Sequence, residues 1–156
     1  MLKIQKAKTL EQLEQARKLF IEYSEFLDID LCFQNFENEI NNLSSVYSEP
    51  DGGIFLASFN LEVVGCIALK KLEGHVGEIK RLYVKDEYRN MGIGRKLFDK
   101  ILDFAKEKGY QKVRLDTLNF LESAIKLYKA YGFREIPAYN STPRDDVLYF
   151  ELSFFS

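Results

Sequence analysis

The chain has 156 residues, of which 46% are hydrophobic and 29% charged, and this composition fits one globular domain over residues 1–156. Its 24 acidic and 22 basic residues leave a net charge of −2, which argues against a general nucleic-acid binder. No apolar run reaches the length of about 18 residues that a membrane-spanning helix needs, so no membrane partner is expected. The N-terminal residues also lack the apolar core of a signal peptide.

His75 is the only histidine, and Cys32 and Cys66 are the only cysteines. Any nucleophilic triad with a histidine base would have to use His75. One histidine and two distant cysteines make a poor zinc ligand set, so no metal site is expected. A domain of this size needs no disulfide, so a reducing, cytoplasmic location is the simpler interpretation. Catalysis would then depend on backbone groups, tyrosines, carboxylates or a bound cofactor.

The first third of the chain predicts one strand and two helices. Leu2–Lys6 is a short strand, and Thr9 and Gln12 make a capping box that starts the first helix at Thr9. The hydrophobic residues of this helix recur at steps of three and four, and they are Leu13, Ala16, Phe20, Tyr23 and Leu27. The same spacing predicts a second helix that carries Phe33, Phe36, Ile40 and Leu43. The sequence Pro-Asp-Gly-Gly at residues 50–53 then predicts a turn.

The hydrophobic period then changes from that of a helix to that of a strand. Ile54–Phe59 and Glu62–Leu69 are β-rich runs separated by two residues, which predicts a hairpin. Residues 71–77 are interpreted as a loop, and Glu78–Val84 as a third strand. Strict alternation fails in this strand, because its apolar positions 79 and 82 are three apart. A bulge near Arg81 and Leu82 would reconcile them.

The second half of the chain alternates helices and strands. A long amphipathic helix ends at Gly109, a C-terminal cap, and a second helix capped by Asn119 and Glu122 ends at Gly132. The predicted helices cover residues 93–105 and 119–131, and the predicted strands cover residues 113–117, 133–136 and 147–154. The fold class is therefore α/β, with a mixed, mostly antiparallel sheet flanked by helices.

A glycine-containing segment joins the third strand to the long helix. Its sequence is Arg89-Asn90-Met91-Gly92-Ile93-Gly94-Arg95. At a helix N-terminus several backbone N–H groups lack intrahelical partners, and the helix dipole adds positive charge. Gly92 and Gly94 carry no side chains, so a phosphate oxygen can approach these N–H groups. The segment therefore predicts an anion site, and a pyrophosphate is its natural occupant.

Two known phosphate motifs do not match this segment. The dinucleotide fingerprint would need a glycine at Leu97, and a P-loop would need Gly-Lys-Ser/Thr where the chain has Gly94-Arg95-Lys96. The plain alternative is a glycine turn that only starts a helix. The preceding strand and the nearby arginines favour the anion site.

The chain resembles the GNAT superfamily of N-acetyltransferases in two segments. Arg89-x-x-Gly92-x-Gly94 matches the family's Arg/Gln-x-x-Gly-x-Gly/Ala loop, within a similarity that covers Gly77–Lys108. Residues 123–133, which end in Gly132-Phe133, resemble the family's tyrosine helix. The resemblance implies a single-domain GNAT-like fold with acetyl-CoA as cosubstrate and no metal. Its motifs are specific over residues 62–135.

The resemblance also implies roles for individual residues. In the family the pantetheine arm pairs with the end of the strand before the loop, here Leu82-Tyr83-Val84, and the N–H of Leu82 is the candidate oxyanion donor. Tyr128 lies where the family places a general acid, and Glu78 lies where some members hold a general base. The implied cofactor-binding residues are Leu82, Tyr83, Val84, Arg89, Asn90, Met91, Gly92, Ile93, Gly94 and Arg95.

Each implied role has a structural alternative. Leu82 fits an ordinary strand with an imperfect pattern, Tyr128 fits the apolar face of its helix, and Glu78 fits an exposed strand carboxylate. One position departs from the family. Seven residues before the tyrosine the family often has an asparagine that contacts CoA, and this chain has Leu121. Asn119 is more simply the cap of the helix.

The expected acceptor is the primary amine of a small molecule, which attacks the thioester directly. Cys66 lies in an apolar strand run, which argues against a covalent acetyl-cysteine intermediate. Carboxylates and aromatic rings over residues 23–36 would suit a cationic amine, although a solvated acidic loop over core aromatics explains them more simply. Tyr139, Asn140 and Arg144 lie in a late loop, where Arg144 would suit a substrate carboxylate.

Two other functions stay open at the level of sequence. A CoA-binding sensor or partner module would keep the fold without turnover. A protein or peptide N-terminal acetyltransferase would need a long open acceptor groove, which no sequence feature shows. The acceptor and the oligomeric state are not fixed by the sequence, and a homodimer is among the alternatives.

Overall fold

A computed structural model describes residues 1–27, 35–142 and 144–155. The elements in chain order are β1 (Leu2–Lys6), α1 (Leu10–Leu27), α2 (Phe36–Asn41), α3 (Leu43–Val46), β2 (Gly53–Phe59), β3 (Glu62–Glu73), β4 (Val76–Val84), a 3₁₀ turn (Asp86–Tyr88), α4 (Ile93–Glu107), β5 (Lys112–Leu118), α5 (Glu122–Ala130), β6 (Arg134–Ile136) and β7 (Val147–Ser153). The capping box predicted for α1 is present, because the Gln12 N–H donates to Thr9 Oγ1 and the Thr9 N–H donates to Gln12 Oε1, each at 3.1 Å.

The described strands form one sheet in the order β1-β2-β3-β4-β5-β7-β6. Neighbours are antiparallel except β4 and β5, which are parallel. The tight hairpin between β2 and β3 has Asn60 and Leu61 at its tip, both with positive φ, as a two-residue hairpin turn requires. The parallel pair needs a longer crossover, which α4 supplies. The α/β fold with a mixed, mostly antiparallel sheet is confirmed.

Helices pack on both faces of the sheet. On one face Leu97 and Ile101 of α4 are fully buried against residues such as Val113 of β5. On the other face Phe20 of α1 packs in a second cluster with Cys66 of β3. Burial of each large side chain contributes about 1.5–3 kcal/mol. The two clusters therefore hold β2, β3 and β4 from both sides.

The segment between β3 and β4 differs from its prediction. Residues 71–77 are not a loop, because β3 continues to Glu73 and β4 begins at Val76. These two residues are cross-strand partners, so pairing extends the hairpin and leaves only Gly74 and His75 as a turn. Gly74 and Gly77 favour a loop in the sequence, but the β-propensity of the surrounding residues prevails in the structure.

Two helix predictions are also wrong in detail. The second helix is split into α2 and α3, because Asn42 between them has φ −142° and interrupts the helical backbone; Phe33, which was assigned to it, lies outside the described residues. Asn119 does not cap α5, whose N-cap is Leu121. The Leu121 N–H donates to the Leu118 carbonyl at 3.0 Å, so a turn separates Asn119 from the helix.

None of the helices in the described residues is both long and apolar enough to cross a membrane. Over the same residues, no group of three or more histidine, cysteine or acidic side chains is arranged to hold a metal ion.

Candidate functional site

The ends of β4 and β5 separate and leave a gap in the sheet. Within the described residues, the two strands pair only where Val76–Glu78 lies beside the start of β5. Beyond this point β4 stays paired with β3 as far as Val84, and β5 stays paired with β7 as far as Leu118. The gap therefore opens at the carboxyl ends of two parallel strands, which is where ligands bind in α/β sheets.

β4 contains the bulge that the sequence predicts near Arg81 and Leu82. These two residues lie opposite a single residue of β3. Arg81 adopts a left-handed conformation with φ 63°, which is uncommon for a residue other than glycine. After the bulge, Tyr83 packs in the cluster on the α1 face, whereas Leu82 packs against the cluster on the α4 face.

The glycine segment forms a sharp turn into α4. Gly92 is the N-cap of α4 with φ 79°, and glycine adopts this conformation at no steric cost. Asn90 is also left-handed, with φ 64°. The N–H groups in the first turn of a helix have no intrahelical partner, and this turn borders the gap through Ile93 and Gly94.

A cleft of about 450 Å³ occupies the gap between β4 and β5. The predicted cofactor-binding residues that line it are Leu82, Tyr83, Val84, Arg89, Asn90, Gly92, Ile93 and Gly94. Two predicted residues, Met91 and Arg95, do not line it. Met91 is exposed to solvent, and the guanidinium of Arg95 lies 5.5 Å from the ring of Tyr131.

Two walls of the cleft were not assigned to the cofactor site from the sequence. α1 contributes Tyr23 and Phe26, and the first turns of α5 contribute Ser123 and Leu127. The sequence placed the α1 residues near the acceptor instead. The α5 residues belong to the segment 123–133 that resembles the family's tyrosine helix, but the sequence predicts a role only for Tyr128 of that segment.

Arg89 lies folded along the wall of the cleft. Its Nε–H donates to the Val84 carbonyl at 3.0 Å, and its guanidinium lies 4.3 Å from the centre of the Phe26 ring. Its Nη1 is also 3.4 Å from a carboxylate oxygen of Asp86. The positive charge is therefore fixed at the edge of the cleft beside the glycine segment.

Tyr128 is buried in the core and also lines the cleft. Its ring packs at 5.4 Å from that of Phe98 and 6.2 Å from that of Phe150. Across the described residues its hydroxyl has no hydrogen-bond partner. Burial, with smaller contributions from Tyr23 and Asp116, raises the pKa of Tyr128 above its ordinary value. Tyr128 is therefore both a core residue, as its structural alternative predicts, and a residue that lines the cleft.

Glu78 is not the exposed strand carboxylate that the structural alternative predicts, because only 4% of its surface is accessible. It also does not line the cleft. One carboxylate oxygen accepts a hydrogen bond from the Tyr139 hydroxyl at 2.8 Å, and the other lies 3.9 Å from Lys70 Nζ. Burial, followed by the charges of Glu78 and Asp116, raises the pKa of Tyr139.

The loop between β6 and β7 covers the sheet beside Glu78. The amide of Asn140 donates to Asp116 at 3.3 Å and accepts from the Tyr149 hydroxyl at 2.7 Å. Arg144 does not present a free guanidinium for a substrate carboxylate, as the sequence suggested. Its Nε and Nη2 donate to the carboxylate of Asp146 at 2.8 and 2.6 Å, so both arms of the fork are engaged.

Cys66 is fully buried, and its thiol donates to the Arg81 carbonyl at 3.2 Å. Burial raises the pKa of this thiol. A thiol that stays protonated is a poor nucleophile.

The predicted acceptor residues over 28–34 lie outside the described residues.

Sequence comparison identifies relatives over nearly the full length of the chain. The model of the acetyltransferase (GNAT) family matches residues 13–133. An uncharacterized N-acetyltransferase of Schizosaccharomyces pombe is 33% identical over 97% of this chain and 94% of its own length. An uncharacterized N-acetyltransferase of Dictyostelium discoideum is 29% identical over 91% of this chain and 94% of its own length.

Solved structures of acetyltransferases have the same fold. A GNAT-family acetyltransferase from Staphylococcus aureus Mu50 superposes with a TM-score of 0.81 and 25% identity, over 98% of this chain and 99% of its own. An acetyltransferase from Bacillus anthracis, solved in complex with acetyl coenzyme A, is 28% identical with a TM-score of 0.62, over 71% of this chain and 67% of its own. The protein therefore belongs to the GNAT family of acetyltransferases and uses acetyl-CoA as its acetyl donor.

Proposed function

We propose that this acetyltransferase transfers the acetyl group of acetyl-CoA to the primary amine of a small molecule, by direct attack of the amine nitrogen on the thioester. The observation that carries the proposal is the cleft at the β4–β5 gap. It brings together the bulge at Leu82, the glycine turn at Gly92 and the side chain of Tyr128. Each of these groups serves a different part of the reaction.

The backbone on two sides of the cleft would bind the cosubstrate. The first turn of α4, from Gly92 to Gly94, would bind the pyrophosphate through its unpaired N–H groups, with Arg89 beside it. The end of β4, Leu82–Val84, would pair with the amides of the pantetheine arm like an added strand. The N–H of Leu82 would then stabilise the negative charge that develops on the thioester oxygen.

Glu78 would accept a proton from the substrate ammonium. A primary amine has a pKa of about 10.4, so at neutral pH it is mostly charged and unable to attack. Because Glu78 does not line the cleft and holds the Tyr139 hydroxyl, the proton would reach it through water or through that hydroxyl. The released nitrogen lone pair is then free to attack the carbonyl carbon.

Tyr128 would protonate the leaving group. As the C–N bond forms and the C–S bond breaks, the bonding electrons go to sulfur, and the phenol donates its proton to the thiolate. The nitrogen loses a second proton as the amide forms, and solvent returns a proton to the Tyr128 phenolate. The net products are the acetylated amine, the free thiol of CoA and one proton. Burial raises the pKa of Tyr128, but the same dry surroundings also raise the proton affinity of the thiolate, so the transfer is not disfavoured by burial alone.

The covering loop supports a small acceptor. Tyr139 bonds to Glu78 and Asn140 bonds to Asp116, so the described residues of this loop cover the face of the sheet beside the gap, which favours a small acceptor over a polypeptide. Two carboxylates beside a tyrosine ring suit a cationic amine. The names of structural relatives do not decide this question, because one is named for streptothricin and another for an alanine of ribosomal protein S18.

The test is to incubate the protein with acetyl-CoA and a panel of amines while released thiol is titrated. The panel contains small primary amines and, in a separate arm, peptides with free N-termini. We expect thiol release that depends on a small amine. Release with peptides alone would replace the proposed acceptor with a polypeptide N-terminus, and tight CoA binding without release over any amine would contradict the proposed function.

A further inference from the structure

A buried ion pair connects α2 to the bulge of β4. Arg81 donates from Nε to Glu39 Oε2 at 2.9 Å and from Nη2 to Glu39 Oε1 at 2.7 Å. The Tyr47 hydroxyl donates to the same Oε2 at 2.8 Å. The accessible fractions of Glu39, Arg81 and Tyr47 are 5%, 6% and 5%, so the network lies in the interior.

Neither the family motif nor the proposed chemistry uses this network. Glu39, Arg81 and Tyr47 do not line the cleft. Yet Arg81 is the residue with φ 63°, and the next residue is Leu82, the proposed oxyanion donor. The carbonyl of Arg81 also accepts the Cys66 thiol. The one left-handed residue of the bulge is therefore held through both its side chain and its backbone.

α2 contacts the guanidinium of Arg81 at two points. Besides the carboxylate of Glu39, the ring of Phe36 lies 5.2 Å from the guanidinium carbon. Positions three apart share one face of a helix, so one face of α2 is directed at this single side chain. Burial opposes ionisation of Glu39, but the hydrogen bonds and charge of Arg81 lower the pKa of Glu39 below its ordinary value, so the pair is charged at neutral pH.

A bulge competes with a regular strand. The left-handed conformation is costly for a residue with a side chain, so without compensation β4 would favour a regular ladder with β3. Removing the extra residue shifts the register by one, and such a shift turns every following side chain and N–H to the opposite side. A bidentate ion pair that can form only when Arg81 points toward α2 favours the bulged form.

We propose that Glu39 is a positioning residue for acetyl transfer, which acts by holding Arg81 and thereby fixing the direction of the Leu82 N–H. This inference rests on the proposed role of Leu82. Glu39 touches neither cosubstrate nor acceptor, and its effect passes through the backbone of β4. α2, which lies far from the glycine motif in sequence, is thus part of the catalytic apparatus.

The first test is Glu39→Gln, which removes the charge and keeps the size. The matched control is Glu37→Gln, because Glu37 lies on the same helix and is exposed. We expect kcat to fall about tenfold or more in Glu39→Gln, as a displaced catalytic group predicts. The KM for acetyl-CoA should change less than kcat, since the phosphate site is untouched. Glu37→Gln should match the unsubstituted protein in both constants.

A second variant covers the case in which Glu39→Gln does not fold, because it removes the negative charge that Glu39 presents to Arg81. Glu39→Met, Arg81→Met and Tyr47→Phe together replace the network by apolar groups of similar size, a change that often preserves stability. We expect this triple variant to fold and to lose kcat. A folded triple variant with unchanged kcat would overturn the inference.

A measurement without turnover separates this inference from the proposed function. In the ¹⁵N spectrum of the labelled protein, the Leu82 amide should shift or broaden in the triple variant and stay unchanged in Glu37→Gln. An unchanged Leu82 amide in the triple variant would overturn the positioning role, whatever the activity. Absence of amine-dependent thiol release in the unsubstituted protein would overturn the proposed function, while the amide measurement still decides the role of Glu39.

Discussion

Tyr128 and Glu78 belong to opposite faces of the sheet. Tyr128 packs in the cluster on the α4 face, whereas Glu78 points to the other face, where it meets Tyr139 and Lys70. If both take part in proton transfer, the amine loses a proton to Glu78 on one face, and sulfur gains a different proton from Tyr128 on the other. The acceptor and the leaving thiol would then not compete for the same space.

Tyr128→Phe tests the proposed acid. The change keeps the ring and its packing against Phe98 and removes only the hydroxyl, so stability should change little. We expect kcat to fall about 100-fold, within the range typical of general acids, with CoA affinity preserved. Steady-state rates, with calorimetric titration of CoA as the control, provide the measurement. Unchanged kcat would leave Tyr128 as a core tyrosine only.

Glu78→Gln tests the proposed base through its pH dependence. At low pH the acceptor amine is mostly charged, so removal of its proton is limiting and the base matters most. Near the amine pKa of about 10.4 the neutral form is abundant and the base matters little. We expect the rate ratio of unsubstituted protein to variant to be largest at low pH and to shrink as pH rises. A ratio that does not vary with pH would indicate a structural role.

At the scale of elements, the two ends of α4 offer a natural comparison. Gly92 at its N-terminus and Gly109 just past its C-terminus have φ 79° and 86°, and an added Cβ would meet no atom within 4 Å at either. The strain of a substitution should therefore be similar at both. Only Gly92 lines the cleft.

We expect Gly92→Ala to abolish or strongly weaken CoA binding and Gly109→Ala to leave it intact. Each substitution should also lower the free energy of unfolding by about 1–2 kcal/mol, the cost of a left-handed conformation for a residue with a Cβ. Calorimetric titration with CoA and thermal denaturation measure the two effects. Equal CoA affinity in both variants would contradict the assignment of the phosphate site.

Some elements were predictable from sequence because their signals are local. The bulge showed as a break in alternation at Arg81 and Leu82, and the β2–β3 hairpin showed as two strand runs around a two-residue turn. The break at Asn42 and the turn after Leu118 were not, since asparagine at 42 and 119 is compatible with a turn but does not require one. For the site, the glycine loop was visible as a motif. The pairing of Glu39 with Arg81 was invisible, because it joins residues 42 positions apart that only the fold brings together.

At the scale of the whole molecule, the N-terminal third completes a site whose motifs lie in the second half. α1 supplies one wall of the cleft through Tyr23 and Phe26, and α2 holds Arg81 through Glu39. Both helices dock on the sheet face opposite α4. Stability and site geometry are therefore coupled through the same buried contacts.

Acid should weaken the fold through Glu39. Its pKa is lowered in the folded state from an ordinary value of 4.5, so its stabilising contribution is present above that pH and is lost as pH falls below it. We expect Glu39→Gln to reduce the free energy of unfolding by about 3 kcal/mol at neutral pH, as loss of one partner of a buried pair does.

Urea unfolding at a series of pH values provides the measurement. The difference between Glu39→Gln and the unsubstituted protein should narrow as pH drops below 4.5, and Glu37→Gln should show no such trend. A difference that is constant over the series would mean that the charge of Glu39 does not contribute to stability.

The position of Arg89 has a consequence for how salt affects nucleotide affinity. Its guanidinium is held by the Val84 carbonyl and the Phe26 ring, and the neighbouring N–H groups of α4 are fixed dipoles. Dissolved ions screen exposed charges strongly and such sheltered groups weakly. We therefore expect the dissociation constant of CoA to rise only slightly as ionic strength increases. A steep rise in the dissociation constant would indicate that the exposed cations Arg95 and Lys96 bind the CoA phosphates instead.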